Sequence, residues 1–556
     1  MSKAGIINLE KVKKGRQTYE NFQKITKNPF ETNQKLLKKI IKDNKHTTFG
    51  KKYNFDNIKT IQDYQKQVPI TTYNDYEKYI ELMTQENKTN LITVYEVDHY
   101  SESSGTTGHP KMVPLSKIDQ KTHSKYSKYR YALLEDKIGL NWIDGKSLAI
   151  RDATLETLNS GASFGSLSCK LILENKNILT KRNTSPEEAL FYGKDTDIQY
   201  IHSRFALMDE NITTFSCTFH SFFLEILRYI EDNWKLLVED IKTGTINKSI
   251  KLSKNIRKSL ETKIKPQPQR AQYLEKCFKK GFDKPIIPCI WPKAEVLYGI
   301  GTGTFKIYSD EIRKRYVGKN FTFYLFGLIA SEGYLSLPID VNSDKFALVP
   351  DSVFYEFRDL NDNNYSNCLT IDQLEIGKKY EVIITNCSGF YRYNLQDVIE
   401  IVDTYNQTPV MEYCYRLNQS IDLFGEKITE SIFRDIISIV TKELNWNITD
   451  FSVYPEINSN PFHYTFLFEE WNENNVSIED IKESLERNLK KYSRDYMLER
   501  SKSTLGELEI KFLKENTYNN YIKMKQKELV SASQVKPPHI LTTDKQKEFF
   551  NENLKN

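Results

Sequence analysis

Apolar side chains recur along this chain at two periods, and the switch from one to the other marks out its elements. Leu36, Leu37, Ile40 and Ile41 follow helical spacing, so the first hundred residues are predicted to be mainly helical. A turn-rich stretch, VPITTYNDYEKYIELM, leads towards ITVYEV (Ile92–Val97), which reads as a strand. After Thr218 a long helix is expected, because Phe223, Ile226, Leu227, Ile230, Trp234, Leu237 and Ile241 fall three or four apart on one stripe that Gly244 ends. Residues 247–265 read as an exposed, lysine-rich helical hairpin broken by Pro266-Gln267-Pro268. Ala294–Tyr298 reads as a strand entering a glycine loop, with a helix over Asp310–Tyr316 behind it, the strand-glycine-helix unit of an α/β sheet. Tyr380–Thr385 and Asp397–Val402 read as further strands. Beyond about residue 410 the pattern becomes a smaller α+β unit: a helix over Glu430–Leu444, strands over Phe451–Tyr454 and His463–Phe468, and a charged helix over Ile478–Tyr492. A domain boundary is expected between Val402 and Gly425.

Composition narrows the class. A chain of 556 residues exceeds one compact core and predicts a large domain plus at least one more. Basic and acidic residues number 79 and 74, a net +5 with lysines scattered among glutamates, so no dedicated nucleic-acid face is expected. The 34 tyrosines and 30 phenylalanines are ample for burial and for flat ligand pockets. Cys169, Cys217, Cys277, Cys289, Cys368, Cys387 and Cys414 are odd in number and form no CxxC pair, which predicts buried thiols in a reducing compartment, not disulfides or zinc. The N-terminal residues lack the apolar stretch of a signal peptide, and no segment approaches the roughly twenty apolar residues that cross a bilayer. A soluble, cytoplasmic monomer is expected.

Between Ser103 and Lys111 the chain reads SSGTTGHPK. Gly105 and Gly108 permit backbone angles closed to other residues, Ser103, Ser104, Thr106 and Thr107 add hydroxyl donors, and Lys111 adds charge, a composition suited to phosphate. The plainer alternative is a polar turn. A Walker loop is excluded, because His109 and Pro110 stand between the second glycine and the lysine.

The loop resembles the phosphate loop of adenylate-forming enzymes, and further landmarks follow in their order. Ser331-Glu332 stands where those enzymes place a hydroxyl beside the α-phosphate and a carboxylate for Mg²⁺, a cation that favours hard oxygen ligands. Asp397 stands at the ribose-binding aspartate, whose two oxygens can take both ribose hydroxyls. Arg416 and Gly425-Glu426-Lys427 mark the entry to the small domain, and SQVKPPHIL supplies Lys536. A narrower likeness rests on NPFETNQKLLKKIIKDNKHTTFGKKY, SSGTTGHPKMVPLS, LEILRYIEDNWKLLVEDIKTGTI, IWPKAEVLYGIGTGT, IASEG, GFYRYNLQD and FGEKITE. On these the chain is identified as a member of the Gretchen Hagen (auxin-responsive) acyl acid amido synthetases along nearly its whole length.

That resemblance implies a large N-terminal adenylation domain, 1–410, of packed mixed sheets with helices and a small β-barrel, a hinge at 411–424, and a mobile α+β domain at 425–556. It implies a ligase that uses ATP and Mg²⁺ to convert a carboxylic acid into an acyl adenylate, which an amino acid amine then attacks. Ser103, Ser104, Gly105, Thr106, Thr107, Lys111, Gly301, Thr302, Gly303, Ser331, Tyr391, Asp397 and Arg416 form the implied nucleotide set. Lys427, Lys536 and Glu332 are the implied catalytic residues, with Glu332 also on the metal. The acid is expected near Arg151–Thr154 and Phe219–Phe223. Three positions depart from the pattern: Leu328 where a tyrosine commonly stacks on adenine, Gln396 where glycine is usual, and His539 where arginine is usual. An acyl-CoA ligase, or a catalytically silent member that binds a nucleotide or a protein, are the alternatives.

Overall fold

A computed structural model describes residues 2–103, 111–150, 155–191, 197–302, 305–360, 367–417, 420–470, 476–526 and 538–555. Contacts divide the chain into two compact units, Met1–Ser103 with Lys111–Leu417, and Asn418–Asn556.

Strands are numbered along the chain. In the first unit β1 (Val97–Ser103), β2 (Lys111–Ser116), β4 (Glu156–Thr157) and β5 (Ser163–Gly165) form a sheet ordered β2-β1-β5-β4. A second sheet, β3-β6-β7-β8, is parallel throughout: β3 (Lys146–Ala149), β6 (Ile212–Phe219), β7 (Val296–Ile300) and β8 (Thr322–Leu325). Its strands are mostly buried, as a parallel sheet covered on both faces requires. A third sheet is six-stranded and antiparallel throughout, ordered β11-β12-β16-β15-β14-β13. Its members are β11 (Ser336–Pro338), β12 (Phe346–Leu348), β13 (Phe354–Asp359), β14 (Lys379–Thr385), β15 (Tyr393–Tyr405) and β16 (Thr408–Arg416). Because β16 pairs with β15 as far as Arg416, residues 411–416 belong to this sheet and the first unit runs on to Leu417.

The long helix spans His220–Thr243 and buries Phe223, Ile226, Leu227, Ile230, Leu237 and Ile241, each contributing about 1.5–3 kcal/mol by leaving water. Gly244 caps it at φ +70°, and a Cβ there would strike the Lys265–Pro266 backbone. Of the predicted hairpin over 247–265 only one helix forms, Lys254–Glu261. The first half is instead wrapped around Arg257, whose guanidinium donates to the carbonyls of Ile246, Asn247 and Ile250. Pro268 opens the next helix, Pro268–Phe278, at a position where its missing N–H costs nothing.

Two further expectations are corrected. Ile92–Tyr95 is not a strand: Thr93 Oγ1 donates to the Cys387 carbonyl and the Val94 N–H to Asn44 Oδ1, so its polar groups go to distant side and main chains. Cys277 and Cys289 are joined in a disulfide, because two neighbouring helices bring their Cα atoms to 5.9 Å. The other five cysteines are free thiols.

The second unit pairs β17 (Ser420–Ile421) with β18 (Ile428–Thr429) and packs helices Glu430–Glu443 and Ile478–Tyr492 with the sheet β19-β20-β21, formed by Ile448–Glu456, His463–Glu470 and Glu509–Phe512. Phe433, Ile436, Val440, Phe466, Leu485 and Leu489 are buried in it. Among the described residues no helix is long and apolar enough to cross a membrane.

Candidate active site

β1 and β2 pair antiparallel with Ser103 opposite Lys111. The predicted phosphate residues Ser104, Gly105, Thr106 and Thr107 lie outside the described residues, as does the side chain of Ser103. Lys111 stands over the ring of Tyr73, its Nζ 5.5 Å from the centroid, and the next N–H, of Met112, donates to the Tyr73 hydroxyl at 2.9 Å. The far end of β2 is held by a buried polar group. Ser116 N–H donates to Ser388 Oγ at 2.8 Å, and Ser388 in turn donates to Asp119 Oδ2 at 2.5 Å. Burial pushes the Asp119 carboxyl up to about 6, against the hydrogen bonds from Ser388 and Ser116.

Two residues before Ser388, Asn386 is fully buried and donates through Nδ2 to the Glu332 carbonyl at 2.8 Å, while its Oδ1 accepts from Phe390 N–H. Ser331 and Glu332 form the turn between β9 (Ile329–Ala330) and β10 (Gly333–Tyr334). Glu332 is only 6% exposed. β7 and β8 are adjacent and parallel, with Phe326 N–H donating to the Gly299 carbonyl, so Gly301-Thr302 and the segment leading to Glu332 leave the sheet at the same carboxyl end. Such ends are where α/β sheets bind ligands. Ser388 and Asn386, two residues apart, thus tie β2 and the Glu332 turn to the same stretch of main chain. Gly303 lies outside the described residues.

Asp397 stands on β15 opposite Arg416 on β16, is 7% exposed, and accepts from the Tyr413 hydroxyl at 3.3 Å. The Arg416 side chain lies outside the described residues. Gln396 has φ +62°, the left-handed region that glycine enters freely, which accounts physically for the glycine usual there. The Leu328 backbone is clamped by Ser336, whose Oγ accepts the Leu328 N–H at 2.8 Å.

Tyr391 is corrected. It is fully buried, stacks on Phe49 at 4.7 Å, and donates its hydroxyl to the Ile92 carbonyl, so it packs the core and presents no face to a ligand. Phe223 is likewise a core residue against Phe215. Phe219, half-buried, stacks on Phe305 at 4.6 Å just beyond the glycine loop. Arg151–Thr154 and Lys536 lie outside the described residues.

In the second unit, Lys427 is half-buried, at φ +41°, behind a tight loop that its neighbours close. Glu426 is buried and accepts the N–H groups of Leu423 and Phe424 and the Tyr464 hydroxyl, while Asp422 accepts Gly425 N–H. Burial, and then the nearby Asp422 charge, push the Glu426 carboxyl up to about 8. Asn386, Ser388 and Asp119 were not expected to support the site, whereas Glu426 stands in the FGEKITE motif without a role having been assigned to it. Each of the first three is a polar residue whose only signal is a buried partner.

Family models match three consecutive stretches: the GH3 family N-terminal domain over residues 18–321, the central domain over 346–416 and the C-terminal domain over 434–545. The chain belongs to the GH3 family. Among GH3 relatives, jasmonoyl-L-amino acid synthetase JAR6 of Nicotiana attenuata is 24% identical over 539 residues, covering 92% of each chain. A probable indole-3-acetic acid-amido synthetase, GH3.11 of Oryza sativa subsp. japonica, is 25% identical over 486 residues, 82% of this chain and 81% of its own. Among solved structures, the GH3.15 acyl acid amido synthetase superposes with a TM-score of 0.65 at 22% identity, covering 97% of this chain and 96% of that one. A 2-hydroxyisobutyryl-CoA ligase in complex with 2-HIB-AMP and CoA superposes at 0.53 and 10% identity, covering 94% and 93%. These two likenesses establish a shared fold.

Proposed function

We propose that this chain is an ATP-dependent acyl acid amido synthetase. It joins a carboxylic acid to ATP as an acyl adenylate with release of pyrophosphate, then passes the acyl group to an amino acid amine with release of AMP. The observation that carries this reading is the GH3 match across the N-terminal, central and C-terminal regions. Ser103–Lys111 cradles the phosphates, Gly301–Gly303 and Ser331 bound the adenosine and α-phosphate, and Asp397 with Arg416 holds the ribose side. Lys111 and Lys427 offset charge developing on the departing pyrophosphate. Lys536 is supplied from the C-terminal region in one of the two steps.

The donor set fits Mg²⁺ held mostly by the nucleotide. Among the described residues no three His, Cys, Asp or Glu side chains gather as a metal site, and the one carboxylate at this turn is Glu332. A cation that keeps phosphate oxygens and waters as its other ligands needs no more. Bound there, Mg²⁺ would neutralise phosphate charge. Asn386, by gripping the Glu332 carbonyl, fixes the turn on which that carboxylate is carried.

The test is isotope exchange between pyrophosphate and ATP with Mg²⁺ and a panel of aromatic, indolic and fatty carboxylic acids. Exchange with at least one acid, and AMP release accelerated by an amino acid and not by coenzyme A, are expected. Glu332→Gln is expected to lower exchange roughly a hundredfold. ATP binding without exchange on any acid would support the silent member, and full activity in Glu332→Gln would remove the metal assignment.

A further inference from the structure

Beneath the glycine loop lies a buried pair that the roles above do not use. His220, the first residue of the long helix, is fully buried, and Ser309 is 6% exposed on the helix Lys306–Glu311 that follows the loop. His220 Nδ1 is 2.7 Å from Ser309 Oγ, and Ser309 Oγ is 2.7 Å from the Gly301 carbonyl oxygen. The two contacts determine each other. The serine has one hydrogen, and a carbonyl can only accept, so Ser309 donates to Gly301 and its oxygen accepts from His220 Nδ1–H. The remaining nitrogen, Nε2, is then a bare lone pair, and among the described residues it has no hydrogen-bond partner. Burial, with Arg313 nearby, lowers the imidazole to about 3, so this neutral tautomer persists throughout the working range. The fit is close: a Cβ on Gly301 would fall against both the His220 ring and Ser309 Oγ, and a Cβ on Gly299 against His220 and Cys217.

We propose that His220 and Ser309 are positioning residues for the nucleotide, turning the Gly301 carbonyl inward so that the Thr302 N–H of the same peptide is aimed outward at the ligand. The carbonyl and N–H of a planar trans peptide point in opposite directions, so holding one aims the other. Glycine at 301 is what lets the imidazole lie close enough to act. The inference rests on the synthetase reading, in which this loop borders ATP.

The test separates the two ring nitrogens. An asparagine amide nitrogen sits one bond from Cγ, as Nδ1 does, whereas a glutamine amide reaches towards the Nε2 position. His220→Asn is therefore expected to keep the KM for ATP within about twofold of the parent, while His220→Gln and Ser309→Ala raise it roughly three- to tenfold. The KM for the acid is expected to stay unchanged in Ser309→Ala, whose thermal midpoint falls because the His220 Nδ1–H and the Gly301 carbonyl are left buried without their partner. Equal impairment of the Asn and Gln variants, or a parental ATP KM in Ser309→Ala, would overturn the inference. Calorimetric titration with ATP and with AMP keeps the two readings apart. A parent that binds neither loses the synthetase reading and this one together; a parent that binds, with Ser309→Ala binding as tightly, loses this one alone.

Discussion

Gln396 holds a conformation that its side chain opposes. At φ +62° a Cβ crowds the following carbonyl, at a cost of about 1–2 kcal/mol that glycine avoids. The backbone on either side is tied down, with Gln396 N–H donating to Asn394 Oδ1 at 2.7 Å and its carbonyl accepting from Leu417 N–H at 2.8 Å. The residue therefore cannot relax, and its neighbour Asp397 inherits the fixed direction. Gln396→Gly is expected to raise thermal stability by about 1 kcal/mol. The same variant reports on the site: a fall in the KM for ATP shows that the glutamine crowds the ribose side, and an unchanged KM shows that only backbone strain was relieved.

At the scale of elements, His539 fastens the segment after residue 537 onto the second unit's sheet. Its main chain bridges β19, with Val453 N–H donating to the His539 carbonyl, and its ring lies flat on Phe451 at 4.6 Å. The two ring nitrogens are each 2.9 Å from a carboxylate, Glu430 at Nδ1 and Asp450 at Nε2. Burial disfavours the charge, but the hydrogen bonds and charges of Asp450 and Glu430 outweigh it and the imidazole is held above its usual value. A histidine raised on folding stabilises most below its unfolded value, and that stability is lost as pH rises through the folded one. His539→Ala is expected to lose about 1–2 kcal/mol near pH 6, and less at pH 9, in denaturant titrations compared at the two values. A difference independent of pH would mean that the ring acts by stacking alone.

At the scale of the molecule, the chain divides its proposed chemistry between two compact units. The β1–β2 strands, Glu332 and Asp397 belong to the first, Lys427 to the second. If Lys427 acts on the departing pyrophosphate and contributes little to holding ATP, Lys427→Ala should lower pyrophosphate exchange roughly a hundredfold with the calorimetric affinity for ATP nearly unchanged. Loss of affinity in step with exchange would instead make it a binding residue. Its loop is set by Glu426, whose buried carboxyl ties down two successive N–H groups.

The residues by themselves determined whatever depends on neighbours along the chain. The apolar stripe from Phe223 to Ile241 and its stop at Gly244, the helices Glu430–Glu443 and Ile478–Tyr492 of the second unit, and the order of the motifs from SSGTTGHPK to FGEK were legible, because helical period and motif spacing are local properties. The second unit's helices Arg494–Ser501, Thr517–Gln526 and Asp544–Glu552 were not read. Contacts between distant segments were not. Thr93 and Val94 resembled strand residues until Cys387 and Asn44 took their hydrogen bonds, and residues 247–253 resembled helix until Arg257 gathered their carbonyls. Cys277 and Cys289 carried no pairing signal apart from the helices that bring them together. Tyr391 looked like a ligand residue and is core, since burial is a property of the packed chain. The proposed site divides in the same way. Its chemistry-bearing residues stand in readable motifs, while the groups that hold them lie far off in sequence: Asn386 behind Glu332, Ser388 and Asp119 behind β2, and His220 behind Gly301. A buried polar group reveals its role only through its partner, and folding alone supplied those partners.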